Sequence, residues 1–450
     1  MIDDCIGRDR QKRGTEYLLC FLFLLPCLLS ALLGRVMTGA SFVIYWILTG
    51  GAAVLAAGGV RNLFPLSRRQ RSWLIIWMIL FFIALLNRNG DLQNGVEKPM
   101  LYWLAVILFT AGIQLRESFH SRTLLTAMLI LLCIQLAAGY YFLAMPDQLL
   151  SLIDFFGLEG AWKGKFVSQI QAGYFMGFST HYSTSGMYMA LGCVLTAGMV
   201  MTDRIRKHRI AVWKVLLFAA FFAALILTGK RAHILFGVCA IFAMFFVGCM
   251  SGNFRNRMKQ LLVILGIALA ALLVLTRIPA FSSTLSRFLV TGSLDELSSS
   301  RISGLWLPAW NAFLEHPLFG IGWRQFKYQF PMLQGEYLVN NDCHNIYLQL
   351  LCENGIVGAL PFFAVMLWIY LMTWRTLCRA KNNKSDHYEF ILFSFGYQTF
   401  FLLYGLTGNP LYDMHCLFPY VIACALAFRF GEPMIRFPGR NQAAPSGETA

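Results

Sequence analysis

Long apolar runs alternate with short polar segments along almost the whole chain. A hydrocarbon core about 30 Å thick needs roughly 20 predominantly apolar residues per helix, and runs of about that length recur throughout. They predict about twelve transmembrane helices, near 17–34, 40–60, 72–87, 99–115, 123–145, 184–202, 211–228, 232–250, 260–276, 356–374, 388–407 and 412–430. The predicted fold class is therefore an all-α polytopic membrane protein.

One stretch interrupts this pattern. Residues 298–355 are rich in Trp, Arg and Gly and belong to a large loop, which we expect to contain short helices and the site of chemistry. The predicted organisation is a charged cytoplasmic lead (1–16), spans one to nine (17–276), the large loop (277–355), spans ten to twelve (356–430) and a disordered cytoplasmic tail (431–450).

Composition supports a membrane protein and argues against a nucleic-acid-binding one. The chain is 58% hydrophobic and only 13% charged, whereas soluble domains carry about 25% charged residues. The net charge of +15 is spread over short loops and forms no single basic face. The positive-inside rule explains this distribution. It predicts a multi-pass protein of the cytoplasmic membrane, with both termini in the cytoplasm and the large loop outside.

Cysteines and carboxylates suggest neither a metal site nor a cofactor. Most of the 12 cysteines lie inside apolar runs, and no CxxC or Cys/His metal spacing occurs. Cys343 and Cys416 fall on the same predicted side, so a disulfide between them is conceivable. No carboxylate lies in the middle of a predicted span, which argues against an ion-coupled transporter.

The turn between spans seven and eight carries two cations against the positive-inside bias. Its sequence is TGKRAH, residues 228–233. Gly229 permits a tight reversal, and Lys230 and Arg231 then begin span eight. A helix N-terminus with two added cations favours an anion site. The alternative is that both side chains extend to lipid phosphates.

Two segments of the large loop carry the other candidate residues. Apolar residues at helical spacing after Ser298 predict an amphipathic helix that holds Arg301 and Trp306 and is kinked by Pro308. Arg301 is either a phosphate ligand or an interfacial anchor.

The second segment follows a tight glycine loop, PLFGIGW. Asn341 or Asp342 is expected to cap a helix with His344 in its first turn, ending at Gly355. In that position His344 has a lowered pKa and can act as a general base; the alternative is a capping or interface role.

His181 lies on the predicted outer side, before span six, which Thr184 or Ser185 is expected to cap. It is a candidate for a hydrogen bond to sugar or phosphate. A structural or solvated histidine is the favoured interpretation.

Together these segments resemble a known family. The string SSRISGLWLPAWNAFLEHPLFGIGWRQF, followed by CHNIYLQLLCENGIVG, is similar to the signature region of the O-antigen ligase and O-antigen polymerase superfamily. The matching residues are Arg301, Trp306, Pro317, Gly320, Gly322, His344, Asn345, Glu353 and Gly355. LTGKRAH resembles the Ser-Arg turn of that family, with Lys230 where Ser is commoner.

The resemblance implies a C-type glycosyltransferase fold and a metal-independent, inverting glycosyl transfer outside the cytoplasmic membrane. The donor would be a glycan on undecaprenyl diphosphate, and the acceptor a sugar hydroxyl on lipid A core (ligase) or on another lipid-linked repeat (polymerase). His344 would be the base, supported by Asn345. Arg231, Arg301 and Lys230 would bind the diphosphate, and Glu353 would be structural.

Two other function classes stay open at this point. A transporter or flippase of lipid-linked glycans would also have many spans and outer cations, and it predicts a cationic cavity reaching mid-membrane. A scaffold or sensor without chemistry would make any clustering of Arg231, Arg301 and His344 accidental.

Overall fold

The computed structural model of the chain describes residues 14–25, 65–87, 97–116, 119–155, 161–179, 181–206, 209–249, 301–334, 337–339, 341–383 and 385–431, with a few isolated positions besides. These residues are almost entirely helical. The helices are α1 (Gly14–Leu25), α2 (Arg68–Leu86), α3 (Glu97–Phe109, with the π-helical turn Thr110–Gln114), α4 (Ser121–Ala144), α5 (Pro146–Phe155), α6 (Ala161–Gln171), α7 (Tyr182–Arg206), α8 (Val212–Leu227), α9 (Arg231–Met244, with the π-helical turn Phe245–Cys249), α10 (Leu307–Glu315, after the π-helical turn Ile302–Trp306), α11 (Phe326–Gln329), α12 (Ile346–Asn382), α13 (Tyr388–Tyr404) and α14 (Met414–Phe430).

A short antiparallel hairpin supplies the two strands found in the described residues. Strand β1 (Met332–Gln334) pairs with β2 (Tyr337–Val339), with Leu333 opposite Leu338. The hairpin lies between α11 and α12, within the large loop expected from the sequence.

The chain is a helical, polytopic membrane protein. Five described helices are long and apolar enough to cross a membrane: α2, α4, α7, α9 with its π turn, and α12. Shorter apolar helices include α1, α8 and α14. The count of twelve stays a prediction, since the expected spans at 40–60 and 260–276 fall outside the described ranges or on isolated positions within them.

The centre of the bundle is formed by α7, α13 and α14. Helix α13 is apolar on every face and packs against α7, α9, α12 and α14, and a helix that is hydrophobic all round is expected in the interior. Helix α7 is rich in Gly, Ala and Ser. Small side chains let helix backbones approach closely in a bilayer, and α7 packs against α8, α9 and α13.

The helix bundle has two ends, which carry different loops and side chains. At one end Arg429 donates to the carbonyl oxygens of Gln114 (2.9 Å) and Phe119 (2.6 Å), and Arg206 lies over the Tyr388 ring at 5.7 Å. At the other end lie the turn after α8, the loop segment from Arg301 to α12, and the α13–α14 connection. The residues singled out from the sequence lie at this second end.

Gly355 divides α12 into two helices. Its backbone (φ 60°, ψ −170°) is left-handed and interrupts the helix, while the chain continues as the membrane span to Asn382. The prediction that the first helix ends at Gly355 is confirmed. The amides after the break donate to an outside segment, Ile356 to Pro317 (2.8 Å) and Val357 to Leu318 (3.1 Å).

The loop around Gly320 also donates hydrogen bonds to the last turn before the break. Ile321 donates to the Cys352 carbonyl (3.0 Å) and Gly322 to the Glu353 carbonyl (2.9 Å). A Cβ on Gly320 would lie 2.4 Å from the carbonyl carbon of Glu353, and one on Gly355 would lie 2.3 Å from that of Leu318. The two segments therefore touch backbone to backbone, the close approach expected from the glycine spacing.

Pro308 lies two residues after a π-helical turn. Residues 302–306 form that turn, and the helical backbone continues from it into α10. Helices bend at π-helical turns and at prolines, so the kink at Pro308 stays a prediction.

Replacing Gly355 with Ala should destabilise the protein by about 2–4 kcal/mol, because the side chain would be strained at positive φ and would collide with the Leu318 backbone. Thermal unfolding of the detergent-purified chain measures this. Gly164→Ala is the control, since Gly164 is helical with open space around its Cβ and should gain up to about 1 kcal/mol. Equal melting temperatures for Gly355→Ala and wild type would contradict the role of the backbone contact.

Candidate functional site

His344 lies just before α12, in a left-handed backbone conformation (φ 56°). The expected position in the first turn of a helix capped by Asn341 or Asp342 is wrong. Asn345 is the N-cap, and its side-chain oxygen accepts from the backbone amides of Tyr347 and Leu348, both at 3.1 Å. The Asn345 carboxamide thus caps the helix.

The backbone on both sides of His344 is fixed by distant residues. Cys343 donates from its amide to Gln349 Oε1 (3.0 Å), and Ile346 donates to the Gly405 carbonyl (2.9 Å). With the Asn409 carboxamide in the orientation its neighbours require, its oxygen accepts from the His344 amide (3.0 Å). These contacts hold a conformation that costs about 1–2 kcal/mol for a side chain other than glycine.

The cationic turn lies at the same end of the bundle. Gly229 has φ 69°, as a tight reversal requires. Half-buried Lys230 precedes α9 as its N-cap without a side-chain capping bond, and its Nζ lies 4.9 Å from the centre of the Tyr182 ring. Arg231, also half-buried, is the first residue of α9.

Electrostatics relate His344, Lys230 and Arg301 to one another. Burial, together with the charges of Arg301 and Lys230 and against an opposing effect of Asp342, lowers the pKa of His344 to about 4. Burial, together with repulsion from Arg301 and Lys165, lowers the pKa of Lys230 to about 8. At neutral pH the imidazole of His344 is therefore uncharged and able to accept a proton.

His181 and Trp306 have structural contacts. The Nδ1 of His181 accepts from the Ser183 amide (3.1 Å), and its ring stacks on Tyr182 (4.5 Å). Helix α7 thus begins at Tyr182, and the expected cap at Thr184 or Ser185 is wrong. Trp306 packs against the cluster of Leu305 and its neighbours, with its indole N–H buried and without an acceptor.

Glu353 connects the glycine loop to α12. Its carboxylate is fully buried and accepts from the amides of Arg324 (2.8 Å) and Phe326 (3.3 Å). It also accepts from Gln349 Nε2 (2.9 Å) and from the Tyr412 hydroxyl. A structural role of Glu353 was expected from the resemblance, and these four donors are what its carboxylate binds.

Sequence reasoning missed Gln349, Asn409 and Asn87. Gln349 is one helical turn from Glu353 and links it to Asp342 and Cys343. Asn87, at the end of α2, donates to the Glu353 carbonyl (2.7 Å) and accepts from the Trp323 amide through its own carbonyl (2.8 Å). The only sequence signal for Gln349 was a polar residue within an apolar helix.

The described residues contain no group of three or more His, Cys, Asp or Glu that could hold a metal ion. Cys343 and Cys416 are both buried free thiols, so the conceivable disulfide between them is not formed. Burial, with a smaller contribution from Glu353, raises the pKa of the Cys343 thiol to about 12.

Residues 216–363 match the O-antigen ligase family model. The match confirms the resemblance inferred from the sequence and extends from α8 through the glycine loop into α12. It includes every candidate residue except His181. A comparison with curated proteins found no match.

The O-antigen ligase match supports a membrane glycan ligase or polymerase, and hence an enzyme of polysaccharide biosynthesis. Such enzymes act on lipid-linked glycans and sugar acceptors. Within the O-antigen ligase region, the structure brings Arg301, Lys230 and His344 within electrostatic reach of one another.

Glu353→Gln should destabilise the chain by about 2–4 kcal/mol, because the amide nitrogen cannot accept and leaves buried donors unpaired. Chemical or thermal unfolding in detergent measures the change. Exposed Glu315 supplies the control Glu315→Gln, expected within about 0.5 kcal/mol of wild type. If both variants unfold together with wild type, the carboxylate does not hold the loop.

Proposed function

We propose that the chain transfers a glycan from undecaprenyl diphosphate to a sugar hydroxyl on the outer face of the cytoplasmic membrane. The observation that carries the proposal is the shared electrostatic neighbourhood of His344, Arg301 and Lys230 at one end of the bundle. A general base and an anion-binding set together fit group transfer from a diphosphate. The family match supports the reaction class.

In the proposed step His344 removes the proton of the acceptor hydroxyl. The oxygen attacks the anomeric carbon, and the bond from that carbon to the diphosphate oxygen breaks, which inverts the configuration. Negative charge that develops on the leaving diphosphate is stabilised by Arg231, Arg301 and Lys230. Guanidinium groups bind such oxygens bidentately, and fixed cations are most effective where charge develops.

Side-chain cations are proposed to take the place of a metal ion in this step. The sequence has no Asp-x-Asp pair in the predicted outer segments, and a divalent cation on a diphosphate is usually held by carboxylates. No cofactor is required, because the donor carries its own leaving group.

The fixed backbone at His344 favours catalysis over a merely interfacial role. Contacts from Gln349 and Asn409 hold the residue in a strained conformation, and strain of this kind is retained mainly at functional sites. A base held in place before the acceptor arrives needs less ordering in the transition state.

A transporter or flippase is the less favoured alternative. It requires a cationic path through the membrane, whereas a cavity between α1, α4, α7 and α14 is lined mainly by apolar side chains, with Tyr188 and His415 as its polar groups. The cations discussed above lie at helix ends.

Purified wild-type protein incubated with an undecaprenyl-diphosphate-linked repeat unit should release free undecaprenyl diphosphate. His344→Ala should lose at least about 100-fold in rate, as expected for removal of a general base. Arg301→Lys should also be much less active than wild type, because the lysine ammonium cannot make the two parallel hydrogen bonds of the guanidinium. The matched control is His316→Ala, an exposed histidine in the same loop.

The products separate the possible reactions. A glycan ladder indicates a polymerase, and release only after a lipid A core acceptor is added indicates a ligase. If neither acceptor yields release from wild type, or if His344→Ala equals wild type, the proposed transfer is wrong.

The pH profile of kcat/KM should reflect the lowered pKa values of His344 and Lys230. His344 must be neutral, so the acid limb should lie near pH 4 instead of near 6.5. Lys230 must be charged, so the alkaline limb should lie near pH 8. Lys230→Arg should move the alkaline limb upward, since guanidinium stays protonated, whereas Lys163→Arg should leave it in place. An unchanged alkaline limb in Lys230→Arg would contradict a role of Lys230 in donor binding.

A further inference from the structure

Arg324, immediately after the glycine loop, has an unusual backbone. Its φ is 62°, and among the described residues only Arg324 and His344 are non-glycine residues with positive φ. A side chain in this region costs about 1–2 kcal/mol, and a glycine would avoid most of that cost. A large cation at a strained position points to a function of the side chain.

The guanidinium of Arg324 is buried without an anionic partner. The residue is only 9% exposed, and its guanidinium lies over the Tyr412 ring at 4.7 Å. Its Nη1 is buried and has no hydrogen-bond partner. Glu353, whose carboxylate is close by, accepts from the Arg324 backbone amide and not from the guanidinium. A buried charge without a partner is costly and favours an oxyanion ligand.

The neighbouring residues add donors without acceptors. Gln325 is 8% exposed, and its Nε2 is buried and unpaired. The indole N–H of Trp323 is likewise buried and unpaired, with the ring packed edge-on against Trp103 and Tyr412. Each unsatisfied buried donor costs about 1–3 kcal/mol. Arg324 and Gln325 thus both carry buried donors that an oxyanion could accept from.

We propose that Arg324 and Gln325 form a second oxyanion-binding subsite, which takes a carboxylate or phosphate group carried by the glycan substrate. A guanidinium matches either oxyanion through two parallel hydrogen bonds. The subsite is separate from the diphosphate-binding cations Lys230, Arg231 and Arg301. The assignment to a glycan rests on the proposed function.

A short chain of hydrogen bonds connects this subsite to His344. The Arg324 amide binds Glu353, Glu353 binds Gln349, and Gln349 binds the Cys343 amide, next to His344. One helical turn and hydrogen bonds of about 3 Å place the two residues roughly 10–15 Å apart. That separation suits an acidic sugar within the same oligosaccharide that reacts at His344.

Direct binding tests the subsite without requiring turnover. The full chain in phosphatidylcholine nanodiscs is titrated with methyl β-glucuronide and with methyl β-glucoside, and saturation-transfer NMR reports binding. The glucuronide should bind and the neutral glucoside should bind at least about tenfold more weakly. Arg324→Asn should reduce glucuronide affinity by about tenfold or more, while Arg324→Lys retains part of it. Asn is suited to this test because it tolerates positive φ.

A second titration distinguishes this proposal from the proposed function. Inorganic pyrophosphate, followed by phosphorus NMR, should bind Arg301→Gln more weakly than wild type, whereas glucuronide binding should be unchanged in Arg301→Gln and weakened in Arg324→Asn. Failure of the transferase assay with this binding pattern intact would reject only the reaction. Equal glucuronide binding by wild type and Arg324→Asn, or no binding by wild type, would overturn the subsite. Arg324-dependent stabilisation by phosphatidylglycerol without glucuronide binding would assign the site to lipid phosphate and overturn the glycan assignment.

Discussion

The backbone contact between the Gly320 loop and the Gly355 break is the constraint on which the site depends. Four main-chain hydrogen bonds cross this contact in both directions, and neither position has room for a Cβ. Glu353 stands between the two glycines in the structure and binds amides of the loop that follows. Because Gln349 joins the same carboxylate to the segment before α12, the glycine contact and the conformation of His344 are mechanically coupled.

Charge at this end of the bundle works against stability. Lys230 and Arg301 repel each other, and both act unfavourably on protonated His344. Such an arrangement is expected where an anion is to be bound, since the ligand relieves the repulsion that the empty site carries. Burial, with added repulsion from these cations, keeps the imidazole uncharged, as the proposed role of His344 as a base requires.

Much of the fold was accessible from hydropathy, because apolar length determines which segments cross a bilayer. The tight approach at Gly320 and Gly355 was also predictable, since only glycine fits such a contact. The helix cap was not, because several Asn and Asp residues stand close together and local propensity cannot choose Asn345 among them. Gln349 and Asn409 were missed for a related reason: their partners are set by tertiary packing, and neither belongs to a recognisable spacing.

The backbone of His344 is held by residues that are synthesised well after it. The Gly405 carbonyl and the Asn409 carboxamide both lie in the connection between α13 and α14. A nascent chain that extends only through α12 therefore still lacks the groups that hold the backbone of His344 in its left-handed conformation. If His344 acts as proposed, a chain synthesised only through α12 does not yet hold its base in place.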